Sequence, residues 1–186
     1  AGVAVSDSPV GPFVYQGSFR PNNAMSRDQT VFVDDDGRAY QFYSSENNET
    51  MYISLLTDDY LKPSGRFTRN FVKESREAPA VFKYNGKYYL SYSDNHDENW
   101  NDGVKGDNRM RYAVSDSPLG PWESKGIYME PTDSYTNHGS IVEFKGQWYS
   151  FYHNSALSGH DWLRSICVDK LYYNPDGTIK MVKQTK

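Results

Sequence analysis

The chain has 186 residues, a formal net charge of −4, and 16 tyrosine, 9 phenylalanine and 4 tryptophan residues. This length suffices for one domain with a core of its own, and the aromatic content favours short β-strands. The modest, dispersed charge lacks the basic stripe that nucleic-acid backbones require, and no apolar stretch approaches the roughly 18 residues of a membrane span. Neither nucleic acid nor a membrane is therefore an expected partner.

No targeting signal lies at either end, so secreted, periplasmic and cytoplasmic locations all stay open. The single cysteine, Cys167, lies in an apolar run and is predicted to be a small buried hydrophobe rather than a nucleophile.

The chain opens with a ten-residue string that returns later. The string AVSDSPVGPF, residues 4–13, reappears almost unchanged as AVSDSPLGPW, residues 113–122, an offset of 109. A second pattern, an apolar strand, a turn ending in glycine and an aromatic-rich strand, occurs at 31–43, 81–92 and 141–152. The three turn glycines lie 49 and 60 residues apart. Both spacings predict a repeating unit of about 55 residues.

Each unit is predicted to contain four antiparallel strands. Asp36-Gly37 and Asn85-Gly86 are dipeptides that tight hairpins favour, so each unit begins with a hairpin. Third strands are predicted at 51–56, 109–115 and 163–171, and fourth strands at 65–71, 120–127 and 177–182. Four such strands form one blade of a β-propeller. A β-sandwich with accidental similarity is the alternative, although sandwiches rarely repeat a ten-residue string at a two-unit interval.

The predicted fold is therefore all-β, a single partial β-propeller domain over residues 1–186. Residues 1–20 supply half a blade, and whole blades follow at about 21–75, 76–130 and 131–186. An open arc of three and a half blades exposes sheet faces and strand edges. A complementary N-terminal fragment, or self-association of the chain, is expected to close the ring.

Polar residues precede each predicted hairpin, where the inner strand of a blade starts near the propeller axis. Asp28, Glu77 and His138 stand three, four and three residues before the hairpins. Two carboxylates that face one pocket are the minimum apparatus for hydrolysis of a glycosidic bond. Both carboxylates could equally be ordinary surface charges at strand starts, and their position alone does not decide.

Three strings resemble, in this order, the signatures of glycoside hydrolase family 43: SRDQTVFVDDDGRAYQFYSS (26–45), REAPAVFKYNGKYYLSYS (76–93) and TNHGSIVEFKGQWYSFYHN (136–154). The resemblance implies a five-bladed β-propeller and an inverting glycosidase that requires no cofactor. It implies that Glu77 is the general acid and that Asp28 tunes the pKa of this acid and orients it. It places His138 near the axis, where it supports the acid or holds a central water or ion such as calcium.

The family's general base is an aspartate on the inner strand of the first blade. Two periods place it roughly 80 residues before Ala1, so the resemblance implies that the base and about one and a half blades are not in this chain. Arg164 resembles a family arginine that reaches sugar hydroxyls, although an arginine beside a strand is as often solvated or ion-paired. Trp100 could stack on a sugar ring or anchor its loop. The acidic run at 34–36 lacks the spacing of a calcium loop, so a metal is expected only near His138.

Two functions follow. The first is a glycosidase that acts on arabinofuranosyl- or xylosyl-containing plant cell-wall polysaccharides or oligosaccharides, although residues 44–56 also resemble galactan-cleaving members of the family. The second is a non-catalytic carbohydrate-binding, split or truncated propeller fragment that lacks the general base. A partner that supplies the first one and a half blades would distinguish these hypotheses.

Overall fold

The computed structural model describes residues 1–48, 50–69, 72, 75–94 and 108–185. The regular secondary structure of the described residues is almost only β-strand, arranged in four antiparallel sheets, and includes no helix that is long and apolar enough to cross a membrane. The first two sheets hold β1 (Gly2–Val5), β2 (Val14–Ser18), β3 (Arg27–Val33), β4 (Ala39–Ser45), β5 (Thr50–Leu56) and β6 (Pro63–Arg69). The other two hold β7 (Glu77–Tyr84), β8 (Lys87–Ser93), β9 (Met110–Ser115), β10 (Glu123–Met129), β11 (Ser140–Phe144), β12 (Gln147–Asn154) and β13 (Ser165–Leu171).

The sheets have the strand order of propeller blades. Sheets β3-β4-β5-β6 and β7-β8-β9-β10 are four-stranded meanders, and the inner strand β7 contacts both β3 and β11. Sequential meanders whose first strands adjoin one another are the arrangement that a propeller requires. The all-β propeller fold predicted from the repeats is confirmed.

Local turn chemistry explains the hairpins. Asn85 and Gly86 adopt φ values of 49° and 75°, and Lys145 and Gly146 adopt 52° and 80°. A two-residue hairpin turn needs left-handed backbone at both positions, which asparagine and glycine tolerate better than other residues. Lysine has no preference for this left-handed conformation, so in the third hairpin only Gly146 indicates the turn from the sequence.

The ten-residue repeat forms the same supersecondary structure twice. Residues 4–13 run from β1 into the turn before β2, and residues 113–122 run from β9 into the turn before β10. The turn glycines Gly11 and Gly120 have φ values of 84° and 91°. Sheet β1-β2 therefore corresponds to the third and fourth strands of a blade.

The last sheet differs from its prediction. The fourth strand expected at 177–182 is absent from the described sheet, which contains β11, β12 and β13 and adds only an isolated bridge between Tyr173 and Ile179. The Val182 N–H instead donates to the carbonyl of Tyr128 in β10 at 2.8 Å, and the Ile179 N–H donates to the Tyr112 hydroxyl at 3.0 Å. The C-terminal segment is held by the preceding sheet because the tyrosines of that sheet bind its backbone.

Aromatic side chains join neighbouring sheets, as the alternation along the hairpin strands suggests. Phe32 of β3 meets Tyr88 of β8 edge-on at 5.9 Å between ring centroids, and Phe82 of β7 packs on Trp148 of β12 at 5.4 Å. Each contact belongs to an apolar cluster that spans two sheets. Cys167 packs against the second of these clusters but is only half-buried.

An acidic group also joins two blades. Asp34, at the β3–β4 turn, accepts hydrogen bonds from the Tyr88 hydroxyl at 2.5 Å and from Lys83 Nζ at 3.0 Å. Its side chain is only 8% exposed. Burial by itself would raise the pKa of Asp34, but the hydrogen bonds from Tyr88 and Lys83 outweigh it and lower the pKa below the usual range.

Asp34→Asn is expected to cost about 1 to 2 kcal/mol of unfolding free energy at neutral pH, because a charge-assisted hydrogen bond is lost. The pKa of Asp34 is lower in the folded state, so its stabilisation is complete above the unfolded pKa of about 4 and is lost as the pH falls through the folded pKa. The difference in Tm from wild type should therefore shrink in acid. Asp7→Asn, in the exposed β1–β2 turn, is the control. A Tm difference that stays constant from neutral pH to about pH 2, below the unfolded pKa, would contradict the role of Asp34.

Candidate active site

The inner strands β3 and β7 each contain a bulge where they start. The strand register shifts between Arg27 and Thr30 in β3 and between Glu77 and Ala80 in β7. Asp28, inside the first bulge, has a φ of 51°, and Ala78, inside the second, has a φ of 58°. Left-handed backbone at residues other than glycine costs roughly 1–2 kcal/mol each. Such strain persists only where the surrounding structure imposes it, and bulges of this kind re-aim side chains at functional sites.

The strand register sets the phase of the predicted site residues. Pairing within the three hairpins makes Asp28, Ala78 and His138 equivalent, while Glu77 lies one position earlier. Glu77 precedes its hairpin by four residues, and Asp28 and His138 precede theirs by three, because Glu77 occupies a different strand position. Glu77 is the last residue before its bulge, and Asp28 lies within its own.

The segments that carry the two carboxylates are joined across neighbouring blades. Asp28 Oδ2 accepts a hydrogen bond from the backbone N–H of Ala78 at 3.2 Å, immediately after Glu77. Asn48 Nδ2, from the β4–β5 connection, donates to Glu77 Oε2 at 2.6 Å. Asp28 and Asn48 therefore both lie against the Glu77 segment, and they fix its backbone and its carboxylate respectively.

The segment that presents Asn48 is held in an unusual conformation. Glu46, Asn47 and Asn48 have φ values of 49°, 57° and 68° in succession. Thr50 Oγ1 donates to Glu46 Oε2 at 2.7 Å, which ties the start of this turn to β5. Sequence reasoning did not select Asn48, and the only available signal was a pair of asparagines, which tolerate left-handed backbone.

Further charges lie beside Glu77. Glu77 pairs with Ser93 in the ladder, and the next residue, Asp94, is fully buried. Asp94 Oδ2 accepts hydrogen bonds from Arg111 Nε at 2.5 Å and from Arg109 Nε at 3.2 Å. Two guanidinium groups therefore share one buried carboxylate at the end of β8, close to the strand position of Glu77.

His138 faces a cavity of about 440 Å³ between the inner strands. Its lining includes residues from β3, β7, β11, β12 and β13: Gln29, Thr30, Pro79, Ala80, His138, Gly139, Ser140, Phe151, Tyr152, His153 and Ile166. We refer to this space as the axial cavity. No carboxylate is among its lining residues in the described part of the chain, but Gln29 directly follows Asp28, and Pro79 follows Glu77 by two residues.

His153 is a second histidine in the axial cavity, and the sequence reasoning missed it. Neither ring nitrogen has a hydrogen-bond partner among the described residues, and both nitrogens are shielded from solvent. Burial lowers the pKa of His153, and the neighbouring Arg164 and His138 lower it further. The buried nitrogens do not reach the cavity surface, so His153 contributes to the cavity wall through its ring.

The remaining predicted residues lie farther from the carboxylates or outside the described structure. Arg164 is exposed at the start of β13, and its Nε donates to the Asp161 carbonyl at 2.7 Å. Trp100 lies outside the described residues. No group of three or more His, Cys, Asp or Glu side chains in the described ranges is placed to hold a metal ion. Calcium prefers six to eight oxygen ligands, which His138 and its neighbours do not match, so no catalytic step is assigned to a metal.

Comparisons with known proteins agree with this arrangement. The model of glycosyl hydrolases family 43 matches residues 1–179. A β-xylosidase of Xylanibacter ruminicola is 34% identical over 98% of this chain and 66% of its own length. A xylosidase/arabinosidase of Bacteroides ovatus is 33% identical over 96% of this chain and 63% of its own.

A solved structure matches equally well. It is a β-xylosidase/α-arabinofuranosidase from a compost microbial metagenome, in complex with xylotriose and in a calcium-free form, with a TM-score of 0.78 and 34% identity. The match covers 97% of this chain and 64% of that one. The chain thus spans about two thirds of the length of its relatives, which are five-bladed propellers, and it contains about three and a half blades. The sequence, the sheets and these matches together show that the chain belongs to glycosyl hydrolase family 43.

Proposed function

We propose that this chain supplies the acid-bearing part of an inverting glycosidase that acts on xylosyl- or arabinofuranosyl-containing plant cell-wall polysaccharides or oligosaccharides. The observation that carries the proposal is the junction at Glu77. The Asp28 carboxylate bonds the backbone directly after Glu77, and Asn48 bonds the Glu77 carboxylate. Two groups from one blade, Asp28 and Asn48, therefore position the carboxyl group of the next blade beside the axial cavity.

In this mechanism Glu77 donates its proton to the glycosidic oxygen as the bond to the anomeric carbon breaks. A water molecule adds to the anomeric carbon from the opposite face, and a carboxylate base takes the proton of that water. Asp28 and Asn48 hold Glu77 in place, while the exposed His138 and Arg164 are available to bind sugar hydroxyls. Carboxyl groups supply both proton transfers, so the reaction needs no cofactor.

The base is assigned to blades that precede this chain in its relatives. An inverting pair of carboxyl groups stands about 6.5–9.5 Å apart, across the sugar ring. No carboxylate lines the axial cavity among the described residues. About a third of each relative, 34% and 37% of its length, lies outside the matched region, which leaves room for one and a half further blades.

Apolar side chains at equivalent positions of the last two sheets differ in exposure, which indicates that a further blade covers the last sheet. Phe82 and Met110 of the third sheet, 7% and 0% exposed, are buried beneath the last sheet. The strand registers make Val142 and Ile166 their equivalents in the last sheet, where these side chains are 45% and 84% exposed. Burying such apolar side chains is worth about 1.5–3 kcal/mol each, so this face is suited to a further blade.

The two copies of the ten-residue repeat indicate that a further blade also covers the first sheet, β1-β2. Trp122 is 8% exposed and packs edge-on against Phe42 of the preceding sheet at 6.1 Å. Phe13 occupies the same position in the first copy and is 60% exposed. We infer that a complementary N-terminal fragment of one and a half blades covers both open faces. Self-association of the chain would cover the same surfaces without supplying the base.

The stereochemistry of the first product tests the proposed reaction. The chain, combined with the N-terminal blades of a family member, should release xylose from an aryl β-xyloside or arabinose from an aryl α-arabinofuranoside. Proton NMR at early times should show the anomer opposite to that of the substrate, because one water displaces the leaving group directly. A product that retains the substrate configuration would contradict the inverting mechanism.

The second candidate function is carbohydrate binding without catalysis. The absence of a carboxylate base around the axial cavity, among the described residues, favours it for the chain on its own. Hydrolysis that appears only when the N-terminal blades are present would assign binding to the isolated chain and catalysis to the closed propeller.

A further inference from the structure

Two segments beside the axial cavity carry exposed aromatic side chains. Trp162, in the connection between β12 and β13, is 82% exposed, and Tyr135, before β11, is 60% exposed. Aromatic side chains of this size are usually buried, since each can remove about 150–250 Å² from water. Their exposure on neighbouring segments indicates a contact surface for another molecule.

Hydrogen bonds hold the connection that bears Trp162 in one conformation. Ser158 Oγ donates to the Leu163 carbonyl at 2.6 Å, and the Gly159 N–H donates to the Ser155 carbonyl at 2.8 Å. The Leu163 N–H donates to the His160 carbonyl at 2.9 Å. A ligand that binds here loses little free energy to ordering of the loop, because the loop is already ordered by its own contacts.

Two carboxylates link the segments that carry the two aromatic residues. Asp133 Oδ1 accepts the Ser155 N–H at 2.9 Å, and Asp161 Oδ1 accepts the Tyr135 N–H at 3.1 Å. The second oxygen of each carboxylate has no hydrogen-bond partner within the described part of the chain. Both carboxylates and Trp162 line one depression. An aromatic face for sugar C–H groups therefore lies beside acceptors for sugar hydroxyls.

Arg164 connects this depression with the axial cavity. Its guanidinium carbon lies 5.9 Å from the centre of the Trp162 ring, within the range of a cation–π contact. Arg164 also lies two residues before Ile166, which lines the axial cavity. A ligand that extends from the cavity past Arg164 therefore reaches Trp162.

We propose that Trp162, with Asp133 and Asp161 beside it, forms a binding platform for a neutral pentose chain, a xylan backbone, which holds the polymer while one sugar occupies the axial cavity. This inference rests on the proposed function and assigns it a polymeric substrate. Asp133 and Asp161 place negative charge beside the platform, so an acidic polysaccharide is repelled while a neutral chain is not.

Binding of the 186-residue chain to soluble xylan, measured by affinity electrophoresis, tests the platform without requiring turnover. Trp162→Ala is expected to weaken the apparent affinity about tenfold, because a stacking contact of this kind is lost. Trp162→Phe should restore most of the affinity. Tyr172→Ala is the matched control, since Tyr172 is 52% exposed at the opposite end of β13 and should bind xylan like wild type. Binding of free xylose should be the same in all four proteins.

Xylan affinity that is unchanged in Trp162→Ala, or absent in wild type, would overturn the platform. If Trp162→Ala weakens association with the N-terminal blades and leaves xylan binding unchanged, Trp162 belongs to an interface between blades. That result would also overturn the platform. Loss of hydrolysis is a separate result. A protein that binds xylan through Trp162 but releases no sugar would retain the platform and refute the glycosidase proposal.

Discussion

Glu77→Gln in the closed propeller is expected to lower turnover of unactivated xylosides or arabinofuranosides by about 10²–10⁴, the usual contribution of a general acid. Glutamine keeps the shape of the side chain and its contact with Asn48, but it has no acidic proton to give to the glycosidic oxygen. Aryl glycosides with strongly acidic leaving groups need little protonation, so they should retain much more of their rate. The measurement is kcat for both substrate types on the same preparation.

The contrast between substrates separates catalysis from folding. Glu123→Gln is the control, since Glu123 lies exposed in β10, paired with Lys125 at 2.7 Å and far along the blade from the inner strand. It should leave both rates unchanged. Equal losses for activated and unactivated substrates in Glu77→Gln would mean that Glu77 positions the substrate and does not protonate it.

Ile166→Lys is expected to weaken association of this chain with the N-terminal blades by about 10²-fold or more. The substitution removes about 2–3 kcal/mol of apolar burial and places a charge within an apolar interface. Ile166 is 84% exposed in the chain alone, so the variant should fold with an unchanged Tm. The affinity can be measured by titration of the separate N-terminal fragment into the chain by calorimetry.

A lysine elsewhere should have no such effect. Met181→Lys is a suitable control because Met181 is 48% exposed in the C-terminal segment, which is bound to the β10 edge and not to either open face. Equal affinities for the Ile166→Lys variant and wild type would show that the last sheet face does not adjoin a further blade.

The sequence predicted the features of the fold that depend on local chemistry. Asn85-Gly86 fixes a hairpin by its own backbone preferences, and the repeat at 4–13 and 113–122 folds in the same way because it contains the same turn glycines. Alternation of apolar and polar residues then sets which side of each strand faces the core. These signals lie within about ten residues of one another, so the sequence alone is sufficient to read them.

Features that depend on contacts distant in sequence could not be predicted. Asn48 binds Glu77 across 29 residues, and the sequence offers no pattern that pairs them. The segment at 177–182 has a turn and apolar residues like a fourth strand, yet Tyr112 and Tyr128 of the preceding sheet bind it. His153 was not selected from the sequence, because only the assembled strands show that it lines the axial cavity.

The most direct test is the rate of aryl glycoside hydrolysis by the 186-residue chain, measured alone and after addition of an N-terminal fragment of about 90 residues that supplies one and a half blades. We expect little or no turnover by the chain alone and an increase of about 10²–10⁴ when the fragment provides the base. The Glu77→Gln chain should show no comparable recovery with unactivated substrates. Vigorous hydrolysis by the isolated chain, verified by intact mass, would contradict the account and would place the base on a carboxylate of this sequence.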